Sequence, residues 1–120
     1  MLRVSISETE IQQQIRLQCS RGDVRLWRNN SGSLPDPRTG RYVQFGVGSP
    51  GGSDLIGYRR VRVTPEMVGQ EIAVFAAIEV KTPRGRATSQ QEAFIGHIRN
   101  AGGIAGIARS VDEAKTILLS

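Results

Sequence analysis

IAVFAAIEVK, residues 72–81, decides the fold. All but two of its ten side chains are apolar, and Val, Ile, Phe and Ala dominate it. So continuous an apolar run predicts a strand covered on both faces, hence a central strand of a sheet. Thr82-Pro83-Arg84-Gly85-Arg86 breaks the run. Beyond it, Thr88 to Ala101 reads as a helix with Phe94, Ile95 and Ile98 turned inward, and Gly102-Gly103 stops it. Ile104 to Ala108 is then a short buried strand. A strand, a helix and a strand in this order make a right-handed parallel crossover. Ser110 with Glu113 is a capping-box pattern and opens a last helix that runs to about Leu118.

Upstream, Ser7 with Glu10 caps a first helix that carries Ile11 and Ile15 on one face and fades near Ser20-Arg21-Gly22. Val24 to Arg28 reads as a strand. Asn29 to Ser53 is rich in Gly and Pro, with Tyr42 to Val47 as a short strand inside it; a loop region this long in a small domain is commonly functional or disordered. Asp54 to Val63 is one strand or a bent pair, and Thr64 to Gly69 a turn or short helical turn. The class is α/β, a mixed central sheet flanked by helices in the order α-β-β-β-α-β-α, with residues 1–120 as a single domain.

The two charges in the deciding strand need an explanation. Alternation places Glu79 and Lys81 on one face and Ile78 and Val80 on the other. Charges in an apolar run are costly without a partner. Asp54, twenty-five positions upstream of Glu79, supplies one if a divalent cation lies between the two carboxylates. Hydrolysis of a phosphodiester needs an activated water, neutralised phosphate charge and help for the leaving oxygen, and a Mg²⁺ or Mn²⁺ ion on one or two carboxylates meets all three needs. Asp54 and Glu79 are the expected ligands, with the Val80 backbone carbonyl as a third. Lys81 would orient the water or stabilise charge on the phosphate. Arg84 and Arg86 follow at once and would hold substrate phosphates, with Arg28 as a further DNA contact.

Composition agrees with such a partner. The chain of 120 residues carries a formal charge of +5, and fourteen of its sixteen cationic residues are arginine. Arginine forks suit phosphate, and a basic balance favours a polyanion. No apolar run approaches membrane-spanning length. The start, Met1 to Ser5, lacks the long apolar segment of a secretory signal. The single cysteine, Cys19, excludes an internal disulfide framework and a multi-cysteine zinc site, which predicts a reducing, cytoplasmic setting. Cys19 reads as a semi-buried helix residue, His97 as structural or surface, and Trp27 as a core or dimer contact or a base-stacking platform.

Asp54, Glu79-x-Lys81 and a following helix bearing Gln91 resemble the PD-(D/E)XK nuclease superfamily, and within it the VRR-NUC (virus-type replication-repair nuclease) domain. The resembling text is ETEIQ at 8–12, WRNNSG at 27–32, GSDLIG at 52–57 and VFAAIEVKTPRGRATSQQEAFIGHIRNAGGIAGIARS at 74–110. Ser53 stands where the superfamily name has proline. The resemblance implies a restriction-endonuclease-like fold and a Mg²⁺- or Mn²⁺-dependent DNA endonuclease. It also implies a stand-alone phage or bacterial type that forms homodimers and cuts branched DNA such as Holliday junctions. Position by position it makes Asp54, Glu79, Lys81 and Gln91 catalytic and adds Glu10 to the metal site. Two readings stay open for Glu10 and Gln91, since each also fits a helix capping box. The rival function is a non-catalytic nucleic-acid-binding module that kept the fold. A sequence-specific restriction enzyme would need a groove-entering helix or ribbon, for which only the 29–53 region offers room.

Overall fold

The computed structural model describes residues 6–119, so the stretch Met1 to Ser5 lies outside them. Contacts divide the chain into two compact units, Met1–Val61 and Arg62–Ser120. The class is α/β: among the described residues there are three α-helices and three two-stranded sheets.

In the first unit, α1 (Glu8–Cys19) starts where the Ser7 hydroxyl accepts the Glu10 N–H at 3.1 Å. Its other end is tied to the next strand, because the Leu26 N–H donates to the Ser20 hydroxyl at 2.9 Å. The strand β1 (Val24–Arg28) pairs antiparallel with β4 (Leu55–Arg59), with Val24 opposite Arg59 and Arg28 opposite Leu55. Asp23 clasps the far end of the pair. One of its carboxylate oxygens accepts from Arg60 Nε at 3.0 Å and Nη2 at 2.9 Å, and its carbonyl accepts the Arg60 N–H at 2.7 Å. The indole of Trp27 packs on the Tyr58 ring with centroids 5.8 Å apart.

The 29–53 region holds a second antiparallel pair, β2 (Gly32–Pro35) with β3 (Tyr42–Phe45). The sequence predicts one short strand here, and β2 is the addition. Gly32 and Leu34 share a face with Val43 and Phe45, whereas Ser33 and Gln44 share the other. Gly-Ser-Leu-Pro has weak strand propensity, so β2 exists by pairing with β3 rather than by its own preference. The turn is built by Asp36, whose carbonyl accepts the Gly40 N–H at 2.8 Å and whose carboxylate accepts the Arg38 N–H at 2.9 Å.

In the second unit a 3-10 turn at Pro65–Met67 precedes β5 (Ala76–Val80), α2 (Ser89–Asn100), β6 (Ile104–Ala108) and α3 (Val111–Leu119). The strands β5 and β6 pair in parallel, as the crossover requires, with Glu79 opposite Ile107. The core of this unit is Ile95 and Ile98 from α2 with Ala105 and Ala108 from β6; Ile98 is 1% exposed. A Cβ on Gly106 would come within 2.7 Å of the Ile117 side chain, so a small residue there lets α3 approach the strand.

The deciding strand differs from its expectation. It spans five residues, not ten, and Ile72 and Val74 lie outside it and are exposed. Among the described residues β5 has one sheet neighbour, β6, and Val80 is 75% exposed, so β5 is not covered on both faces. Apolar content alone cannot separate a central strand from an edge strand, because pairing depends on distant residues. Phe94 is likewise exposed rather than inward, and Cys19 is exposed rather than semi-buried.

Candidate active site

Glu79 and Lys81 share one face of the β5 edge, as alternation predicts. Lys81 Nζ lies 3.5 Å from Glu79 Oε1, with the side chains 20% and 32% exposed respectively. Each charge is therefore the other's partner within the strand. The pair is half-buried, so water screens it only in part. The Lys81 N–H donates to the Ala108 carbonyl at 3.0 Å, which holds the lysine backbone to β6 just past the end of β5.

Asp54 belongs to the first unit. Its carbonyl accepts the Asn29 N–H at 2.8 Å, which extends the β1–β4 ladder by one step beyond Arg28 and Leu55. Asn29 also fixes the surrounding loop. Its Nδ2 donates to the Val47 carbonyl at 2.9 Å and the Ser53 carbonyl at 3.0 Å, and its Oδ1 accepts the Val47 N–H at 2.9 Å. Asp54 is exposed at the start of β4. The aspartate thus follows a loop braced by Asn29.

Arg84 and Arg86 are exposed on the turn after β5. That turn is also braced: the Gly85 N–H donates to the Thr82 carbonyl at 3.0 Å, and Arg109 Nη2 donates to the Gly85 carbonyl at 2.9 Å. Both halves of a capping box occupy Thr88 and Gln91. Gln91 Oε1 accepts the Thr88 N–H at 3.0 Å, and the Thr88 hydroxyl accepts the Gln91 N–H at 3.1 Å. Thr88→Ala is expected to lower stability by about 1 kcal/mol, measured by thermal unfolding; an unchanged midpoint would show that the cap carries no weight.

A cleft of about 220 Å³ opens in the first unit, lined by Thr9, Gln12, Gln13 and Arg16 of α1 together with Arg28 and Leu55. Of the residues singled out by sequence, it takes in Arg28. None of the described residues that line it is acidic.

A family model, that of the VRR-NUC domain, matches residues 3–112 of the chain. The chain belongs to the VRR-NUC family. No curated protein and no solved structure matches it. Membership carries a nuclease-type function in DNA processing. The match runs through both units.

Among the described residues, no three of His, Cys, Asp and Glu cluster closely enough to hold a metal ion. The donors named above are nonetheless suited to a hard cation, since carboxylate and carbonyl oxygens are what Mg²⁺ takes. Mg²⁺ keeps several waters and needs only one or two carboxylates from the protein. No helix among the described residues is long and apolar enough to cross a membrane.

Three residues of this VRR-NUC chain escape a reading of the sequence. Asn29 and Arg109 brace the loops that carry the candidate residues, and Arg16 lines the cleft. Asn29 sits inside WRNNSG, where asparagine reads as ordinary turn chemistry. Arg16 has a weak signal: with Thr9, Gln12 and Gln13 it completes a polar i, i+3, i+4, i+7 stripe.

Proposed function

We propose that this VRR-NUC chain is a Mg²⁺- or Mn²⁺-dependent DNA endonuclease that acts as a homodimer on branched DNA such as four-way junctions. The observation that carries the reading is the half-buried Glu79–Lys81 pair, 3.5 Å apart, in a chain of the VRR-NUC family. Asp54, Glu79 and the Val80 carbonyl would hold the cation, with Glu10 as a further ligand. A cation held there supplies charge neutralisation and a more acidic water. Their pairing across the chain is supported by the family motif and by the oxygen donors themselves. The restriction-endonuclease-like fold and the single domain over 1–120 belong to the same reading.

The chain's own residues do the rest. Glu79 pairs with Lys81 at 3.5 Å and so keeps the ammonium aimed along the strand face. Lys81 orients the attacking water and offsets the charge that develops on the phosphate. Arg84 and Arg86, on a turn held by Arg109, present two forks to the substrate backbone. Gln91 spends its Oε1 on the Thr88 N–H, which leaves its amide N–H groups to meet Lys81, a water or the substrate. Four-way junctions are two-fold symmetric, and a two-fold dimer sets two active sites across one.

The test is a cleavage panel on linear, flap, supercoiled and four-way-junction DNA with Mg²⁺, Mn²⁺ or a chelator. Metal-dependent cuts with preference for the junction are expected. Salt-sensitive binding with no turnover under any metal would instead favour the non-catalytic module. A single 13 kDa species by sedimentation under cleavage conditions would rule out the homodimer.

A further inference from the structure

We propose that the cleft between α1 and the β1–β4 pair is a subsite for an internal phosphodiester of the DNA, gripped by Arg16 and Arg28; this rests on the DNA-acting reading above. Four observations lead there. First, Thr9, Gln12, Gln13 and Arg16 form one stripe of α1, and that stripe faces the cleft. A surface helix ordinarily turns its apolar stripe inward. Here Ile11 and Ile15 are 44% and 42% exposed, while the stripe along the cleft is hydroxyl, amide and guanidinium. A helix face this polar, lining a cleft, is built for a polar occupant.

Second, Arg16 and Arg28 line the same cleft, and among the described residues neither has an ion-pair partner. The ion pairs among the described residues are Arg38–Asp36, Arg60–Asp23 and Lys81–Glu79, and neither cleft arginine takes part in one. Like charges on a shared cleft repel, and an anion between them relieves the repulsion. Third, the neutral lining suits phosphate. Amide N–H groups of Gln12 and Gln13 and the hydroxyl of Thr9 all donate to phosphate oxygens, and guanidinium forks match two of them at once.

Fourth, the position fits a backbone contact. Arg28 is opposite Leu55, the residue after Asp54, so the cleft begins one residue from a proposed metal ligand. A strand whose scissile phosphate lies at Asp54 would pass its neighbouring phosphates over the cleft. Contacts of this kind fix register without reading sequence.

The experiment is DNA binding by the full chain in chelator, where nothing is cut, measured by fluorescence anisotropy over a range of salt. Each backbone contact contributes about 0.9 to the slope of log affinity against log salt on duplex DNA. Arg16→Gln and Arg28→Gln are each expected to lower that slope by about 0.9, equally across unrelated sequences. Arg21→Gln, in the exposed turn after α1 and outside the cleft, is the control. Arg16→Lys is expected to retain the slope, and circular dichroism checks that each variant folds. A loss for Arg16→Gln no greater than for Arg21→Gln overturns the subsite. Closed circular DNA separates the two sources of phosphate. An equal loss on circular and linear DNA supports an internal phosphodiester, and a loss confined to 5′-phosphorylated ends overturns it in favour of a terminal phosphate. The two readings fail separately: wild-type binding with no cleavage in Mg²⁺ sinks the catalytic one alone, and unchanged binding by cleaving Arg16→Gln protein sinks the subsite alone.

Discussion

Glu79→Gln is expected to lower DNA cleavage at least about a hundredfold while the protein stays folded and still binds DNA. Glutamine keeps the shape of glutamate and loses its charge. The charge has two jobs in the proposed mechanism, holding the cation and aiming Lys81 Nζ from 3.5 Å. Removing one preorganised charge-stabilising group typically costs about 10²–10³ in rate. The structural cost is smaller, because both side chains keep contact with water. Losing a partly exposed ion pair costs about 1 kcal/mol or less. Initial rates on junction DNA with saturating Mg²⁺, set beside thermal unfolding and the salt slope of binding, separate the two effects. A rate within a few-fold of wild type would remove Glu79 from the site. A lost rate accompanied by a collapsed unfolding midpoint would assign the pair a structural job instead.

The largest stability effect is expected at Gly57. This glycine lies opposite Leu26 in the β1–β4 pair, where the neighbouring strand's backbone comes so close that a methyl group has no room. An added Cβ would land on the Arg25 carbonyl oxygen, and the next atoms it meets are the Arg25 carbonyl carbon at 2.8 Å and Leu26 Cα at 2.9 Å. None of these belongs to a side chain that could rotate away. Gly57→Ala must therefore push the strands apart, and the rung beside it carries Ile56 and Trp27, near the start of β4 and Asp54. Overpacking of this kind costs up to about 3 kcal/mol. The expected result is a large fall in the unfolding midpoint with cleavage lost in parallel. Gly96→Ala provides the contrast, because a Cβ there meets nothing within 4 Å and alanine is the better helix former. A Gly57→Ala protein as stable as wild type would show that the two strands part without penalty.

How much of this was legible from the residues depended on the range of the interaction. Local chemistry was readable. Thr88 and Gln91, Ser110 and Glu113, and Gly102 with its φ of 94° marked helix ends that the structure places within a residue. The parallel β5–α2–β6 step followed from its spacing, and the shared face of Glu79 and Lys81 from alternation. Pairing was not readable. The length of β5, the existence of β2 and the exposure of Phe94 and Val80 are set by which distant segment lies alongside, and an apolar run carries no address. The cleft escaped for the same reason. Arg28 and Leu55 are twenty-seven positions apart, and only the β1–β4 register puts both beside Arg16.

Asn29 carries a consequence for how this chain can vary. From the base of the excursion that starts at Asn30, its side chain bonds Val47 and Ser53 on the returning limb. The stretch between is therefore closed at its neck, like a cassette. Lengthening a closed loop costs little, about 0.6 kcal/mol per doubling. Insertions at the Pro37-to-Thr39 tip can accumulate or be swapped between relatives while Asp54 stays in register with β1. The ribbon is then the part of the molecule free to diversify, because Asn29 and the β1–β4 ladder behind it keep its neck closed.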